Sequence, residues 1–134
     1  MLQTGLLICG EAHRWANTVA QARAAESLGY DSVWVAESHF RDDKDSPAPL
    51  IGLAALATVT ERVLLGPAVV VAPLQHPVSL AEQTALLQEM SDGRLVCGLG
   101  MGHRDDEFAA FEILRSQRRK HLEETVELLR LLWT

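Results

Sequence analysis

Apolar residues along the chain alternate between two patterns. Short runs rich in β-branched residues fall at residues 5–9 (GLLIC), 31–37 (DSVWVAE), 63–71 (VLLGPAVVV) and 94–99 (RLVCGL), and each reads as a buried strand. Between them apolar residues recur at helical spacing. Val19, Ala22 and Leu28 share one face of a first helix, with Asn17 as its cap and Gly29 as its stop. Residues 50–60 (LIGLAALATVT) make a second, small-residue helix. Leu80, Thr84, Leu87 and Met90 line one face of a third, opened by a Ser79/Glu82 capping box and closed by Asp92-Gly93. Residues 104–107 start a short helical turn before Phe108 and Phe111. Ser116 caps a last helix carrying Leu122, Val126, Leu129 and Trp133 on one side. Polar or proline-punctuated loops fill the rest, at residues 10–13, 41–49 and 72–78. Gly66-Pro67 predicts an irregularity inside the third run, because proline removes a ladder donor.

The order is strand then helix, four times over. That pattern predicts a parallel sheet with right-handed crossovers. Two architectures use such repeats: an open doubly wound sheet and the eight-stranded barrel. A complete barrel takes about 250 residues, and the chain has 134. Its last helix runs directly into Trp133-Thr134, which suggests a chain stopped partway through a fold. Periodicity alone leaves the two architectures open.

Composition narrows the function classes. Residues 1–134 are enough for one domain with a real core. Net charge is −6 and the pI about 5.3, which argues against a nucleic-acid partner. No apolar run is long enough for a bilayer and no secretory signal is visible, so no membrane partner and a cytoplasmic location are expected. Cys9 and Cys97 each sit in an apolar run and read as buried free thiols of a reducing compartment. No cysteine or histidine spacing suggests a metal site. Asp42, Asp43 and Asp45 read as a solvated acidic loop.

The candidate chemistry gathers at the ends of strands. The second strand stops abruptly in Glu37, Ser38, His39 and Phe40. Parallel α/β proteins place their sites at such carboxyl ends. Imidazole titrates near neutrality and suits proton transfer, yet position alone leaves His39 open between that role and an exposed loop histidine. Gly98, Gly100 and Gly102 follow the fourth strand, where glycine lets a backbone approach a ring or phosphate. They do not make a G-x-G-x-x-G dinucleotide fingerprint, since position 103 is His. His13 and His76 sit in loops, His76 as a structural part of an HP turn, and His121 reads as a helix-surface residue.

Three pieces in order, SLGYDSVWVAESHF, LLGPAVVVAPLQHPVSLAEQTALLQEMSDGRLVCGLGMG and DDEF followed by RRKHLEETVELLRLLW, resemble the luciferase-like monooxygenase family. The HP…LAEQ…LLQEMSDGR run is the most specific. The resemblance covers nearly the whole chain. It implies a (β/α)8 barrel using reduced flavin (FMN) or the deazaflavin F420, with this chain matching the N-terminal half of that TIM-type barrel, about four βα repeats. It implies that His39 is catalytic, lining the pocket over the ring, and that Glu37, matching the carboxylate before the luciferase histidines, orients a neighbour. Ala68 and Val69 match the place where the family carries a non-proline cis peptide under the ring, so a backbone distortion is expected there. Gly100 and Gly102, with Glu37, Ser38, Ala68 and Val69, become the expected cofactor-binding set.

Two departures matter. Bacterial luciferase has a second histidine, and several F420 enzymes an aspartate, where this chain has Ser38. A hydroxyl is no general base near neutrality, so luciferase-type bioluminescence is not expected. Luciferase has an arginine where Met101 stands, which leaves His103 and Arg104 to replace a phosphate contact. The expected function is a flavin- or F420-dependent oxidoreductase or monooxygenase acting on a small organic substrate. The alternative is a non-catalytic half barrel that self-associates through its open edges, as a homo-oligomer or a chain lacking its C-terminal half.

Overall fold

The computed structural model describes residues 2–8, 15–41 and 46–134. The expectations for Cys9, the turn at residues 10–13 and the aspartates at 42, 43 and 45 lie outside them. Three strands, β1 (Gly5–Ile8), β2 (Ser32–Val35) and β3 (Leu64–Pro67), form one parallel sheet in chain order. The register runs Leu7 to Trp34 to Gly66. The fourth run bridges to β3 at Leu65–Leu95, whereas the common doubly wound order 3-2-1-4 sets the fourth strand beside the first; sequential neighbours are what a barrel wall requires.

Side chains alternate across this wall. Val33 and Val35 face outward and are buried with Ile8 and Leu65 under the helices α1 (Trp15–Ser27) and α2 (Pro49–Ala57), whose Ala22, Ala25, Leu53 and Leu56 complete the core. Ser32 and Trp34 face the other way, and Trp34 Nε1 donates to Ser32 Oγ at 2.8 Å. Room for that indole comes from Gly5 and Gly66: a Cβ on Gly66 would lie 2.6 Å from the Val96 carbonyl oxygen and against the ring.

The third apolar run does not continue as one strand. The Ala68–Val69 peptide is cis, and past it the chain resumes as β4 (Val70–Val71), paired in parallel with β5 (Leu99–Gly100). The fourth run follows β3 over more of its length than β5 alone covers. Leu65 N donates to Arg94 O and Val96 N to Leu65 O, both at 2.9 Å, so residues 94–96 bond to β3 without forming a long ladder. The helices α3 (Pro77–Met90), α4 (Asp105–Ala110) and α5 (Arg118–Leu132) complete the outer layer, with Leu80, Ala81, Val70 and Leu129 forming a second core cluster.

Helix starts differ from the sequence reading. α1 begins at Trp15, so Asn17 lies inside its first turn and does not cap it. α3 begins at Pro77 with His76 before it, and Ser79 Oγ instead accepts from Gln83 Nε2 at 2.9 Å. Proline, with φ already helical and no N–H to satisfy, starts both α2 and α3 in place of a side-chain cap. α5 is led in by a 3₁₀ turn at Arg115–Gln117, which absorbs Ser116 and makes Gln117 the flanking residue. Leu28 and Met90 were expected on buried faces and are 76% and 46% exposed. Leu28 lies just beyond the last turn of α1 and Met90 ends α3, where the helix has run past its core.

Candidate functional site

The carboxyl ends of β2, β4 and β5 open on one pocket of about 500 Å³. Glu37 and Ser38 line it from β2, Ala68, Val69 and Val71 from the cis peptide and β4, and Gly100, Met101 and Gly102 from β5. All six residues expected to bind cofactor therefore face a common space. Arg41, His103 and Arg104 stand at its polar side.

His39 is placed differently. It is buried, 7% exposed, so the exposed-loop alternative does not hold. Its ring does not line the pocket but sits behind Glu37, with Nε2 2.9 Å from Glu37 Oε1. The Glu37 side chain is fully buried. Its Oε2 accepts from Val71 N at 2.7 Å, and Gln75 Nε2 lies 3.4 Å from Oε1. Glu37 thus ties the end of β2 to the end of β4 while holding the imidazole, a buried carboxylate with each oxygen partnered. Ser38 makes a two-way backbone bridge with Ser46, at 3.3 and 3.2 Å, which fixes the loop beyond β2.

Three residues of the α4 segment reach His39. Glu107 Oε1 accepts from His39 N at 3.1 Å, Arg104 Nη1 donates to His39 O at 2.9 Å, and the Phe111 ring meets the imidazole edge-on at 5.1 Å. Arg104 also pairs with Asp106, and that hydrogen bond holds the Asp106 carboxyl below its ordinary range. Arg104, considered above for a phosphate contact, is thus engaged within the protein. Glu107 was visible in the sequence only as part of DDEF. The third of three consecutive acids in a short turn carries no signal that it, and not its neighbours, will be buried, and its partner is 68 residues away.

The glycines have a nearer reason than a ligand. A Cβ on Gly98 would collide with the Pro67 carbonyl oxygen, and one on Gly100 with the Val69 side chain. Gly102 takes a left-handed φ of +69° under Val71 and Phe108. They let β5 lie close to the cis segment that forms the pocket floor. Cys97 is free and burial pushes its thiol up. His76 is exposed, while His121 is half-buried and lines a separate groove with Glu124. Among the described residues no cluster could hold a metal ion, and no helix is long and apolar enough to cross a membrane.

The sequence pattern described as luciferase-like monooxygenase matches residues 3–134, and the chain belongs to that family. The F420-dependent hydroxymycolic acid dehydrogenase of Mycobacterium tuberculosis is 33% identical over 138 residues, covering 97% of this chain and 38% of that protein. The crystal structure of monooxygenase RslO1 from Streptomyces bottropensis matches with a TM-score of 0.94 at 33% identity, over 98% of this chain and 43% of that one. The oxygenating constituent of 3,6-diketocamphane monooxygenase from the CAM plasmid of Pseudomonas putida, in complex with FMN, matches at 0.91 over 99% and 40%; at 22% identity that likeness is one of fold. The chain spans about two fifths of the length of each of these proteins. The family works with flavin or F420, and the parallel α/β arrangement here matches about two fifths of luciferase-like TIM-barrel enzymes.

Proposed function

We propose that this chain supplies the N-terminal half, four βα units, of a flavin- or F420-dependent oxidoreductase acting on a small organic substrate. The observation that carries the reading is the convergence of Glu37, Ser38, Ala68, Val69, Gly100 and Gly102 on one pocket at the carboxyl ends of the strands. The pocket suits a flat heteroaromatic ring. Its volume lies in the range of cofactor sites, Ala68, Val69, Val71 and Met101 make an apolar floor and wall, and Ser38, Arg41 and His103 offer polar groups at the rim. FMN and F420 fit that lining equally. Bound there, either would supply the hydride, and reduced flavin the reaction with oxygen.

The chain's own residues would bind, orient and shield. Ala68 and Val69 would lie against one ring face, with Gly100 and Gly102 beside them. Ser38 would hydrogen-bond the ring rim. The Glu37–His39 pair would hold a proton between Glu37 Oε1 and His39 Nε2, with Glu37 as the member nearer the pocket and His39 as the group that receives or returns it. The acidic balance and the lack of a spanning helix among the described residues support a cytoplasmic enzyme with neither nucleic-acid nor membrane partners.

Titration of the chain with FMN and with F420, read by cofactor fluorescence, tests the reading directly. Saturable quenching by one of them is expected, and no binding even at high micromolar concentration refutes it for this chain. In an enzyme carrying the segment, H39Q is expected to lower turnover by about 10²–10⁴-fold, the usual span for a general acid–base group. A second reading has its own support. Leu7 on β1, Val96 beside β3 and Leu132 at the end of α5 are 49%, 38% and 51% exposed, so sheet and helix together offer apolar surface for self-association as a homo-oligomer.

A further inference from the structure

Past Val35 the chain leaves the sheet, so the backbone groups of His39 have no ladder partner. A buried peptide group without a partner is costly, and both polar atoms of this residue must be satisfied from elsewhere. One short segment does it. Glu107 Oε1 takes the His39 N–H at 3.1 Å and Arg104 Nη1 gives to the His39 carbonyl at 2.9 Å. Arg104 Nη1 is also 3.6 Å from Glu107 Oε1, so the two side chains steady each other. Glu107 is 4% exposed, and a charge so placed is kept only where it has defined partners. Phe111, at the far end of the same segment, closes on the imidazole edge-on. The next residue, Phe40, has a left-handed φ of 57°, an uncommon state for a bulky side chain, so this stretch of backbone is held by its surroundings.

We propose that α4 is a positioning bracket for His39: Arg104 and Glu107 clamp its peptide and Phe111 its ring, so that Nε2 stays on Glu37. The bracket rests on the reading of His39 as the functional histidine, and it gives α4 a task in that reading. Glu107, Arg104 and Phe111 act through His39 and need not touch the substrate. A ring held on a carboxylate acceptor presents an Nε2 proton to it, and in the neutral ring that choice leaves Nδ1 bare. A ring released from the bracket exchanges tautomers.

The test reads the ring nitrogens of His39 in two-bond ¹H–¹⁵N spectra, with H39Q assigning its signals among the five histidines. The native chain is expected to show one tautomer, protonated at Nε2. Glu107→Leu removes the acceptor, and averaged nitrogen shifts are expected. Glu107→Gln keeps an acceptor oxygen and is expected to restore the single tautomer. An unchanged His39 pattern in folded E107L, or the same loss in E107Q, overturns the proposal. If E107L does not fold, Arg104→Met removes the other half of the clamp from a partly exposed position, and an unchanged pattern there overturns it equally. No cofactor is present in these spectra, so failure of the bracket and failure to bind FMN or F420 are read separately.

Discussion

Single side chains in this protein do long-range work that their residue type does not announce. Glu26, at the end of α1, accepts from the backbone N–H groups of Glu61, Arg62 and Val63 at 2.6–3.1 Å. Burial by itself pushes the Glu26 carboxyl up, but the donors of Arg62, Val63 and Glu61 outweigh it and hold the group below its ordinary value of 4.5. A depressed folded value means the contribution is present at neutral pH and is lost as pH falls below the ordinary value and through the folded one. Thermal melts taken from neutral pH into the acid range should show this loss in the native chain and a shallower acid slope in E26Q. At neutral pH E26Q should cost about 1 kcal/mol, the small end for a charged acceptor because the group is partly solvated. Gly98→Ala should cost about 1–3 kcal/mol in urea unfolding, since its new methyl meets the Pro67 carbonyl and neither backbone can yield freely.

Among the elements, the loop between α3 and β5 is fastened by one guanidinium. Arg94 donates to five acceptors: Ser91 O, Thr60 Oγ1, Val63 O, Ala57 O and Thr60 O. These join the end of α2, the start of β3 and the end of α3 at the rim opposite the pocket. A lysine has one ammonium where this site uses a planar fork. R94K should therefore lower unfolding free energy by about 2 kcal/mol in denaturant melts. Residues 94–96 lie beside β3, and Cys97 follows them with its thiol pushed up by burial. Less thiolate at neutral pH means slow alkylation. The Cys97 peptide should label more slowly than a free thiol and should speed up in urea.

On the scale of the molecule, parallel strands laid side by side in chain order bring the ends of β2, β4 and β5 onto one rim. The same curl leaves apolar surface uncovered around residues 94–97, where Leu132 and Trp133 border a cavity of about 610 Å³. Sedimentation of the chain expressed by itself should show concentration-dependent association. V96K, which puts a charge on that exposed segment, should reduce it.

The sequence by itself determined the alternation of strands and helices, the family, and which strand ends carry Glu37, His39, Ala68, Val69 and the glycines. Those are matters of local periodicity and residue type, which the chain states directly. Only the tertiary structure decided that His39 turns behind Glu37, that Arg104 and Glu107 serve its backbone, and that Gly98 and Gly100 yield to Pro67 and Val69. It also decided where α3 and α5 begin, because a proline and a 3₁₀ turn displaced the expected Ser79 and Ser116 caps, and it set Asn17 inside α1. The reason is reach. A buried carboxylate or guanidinium is specified by partners about 30 to 70 residues away, and nothing in its own neighbourhood of sequence records which unpaired backbone group it will meet once the strands have curled.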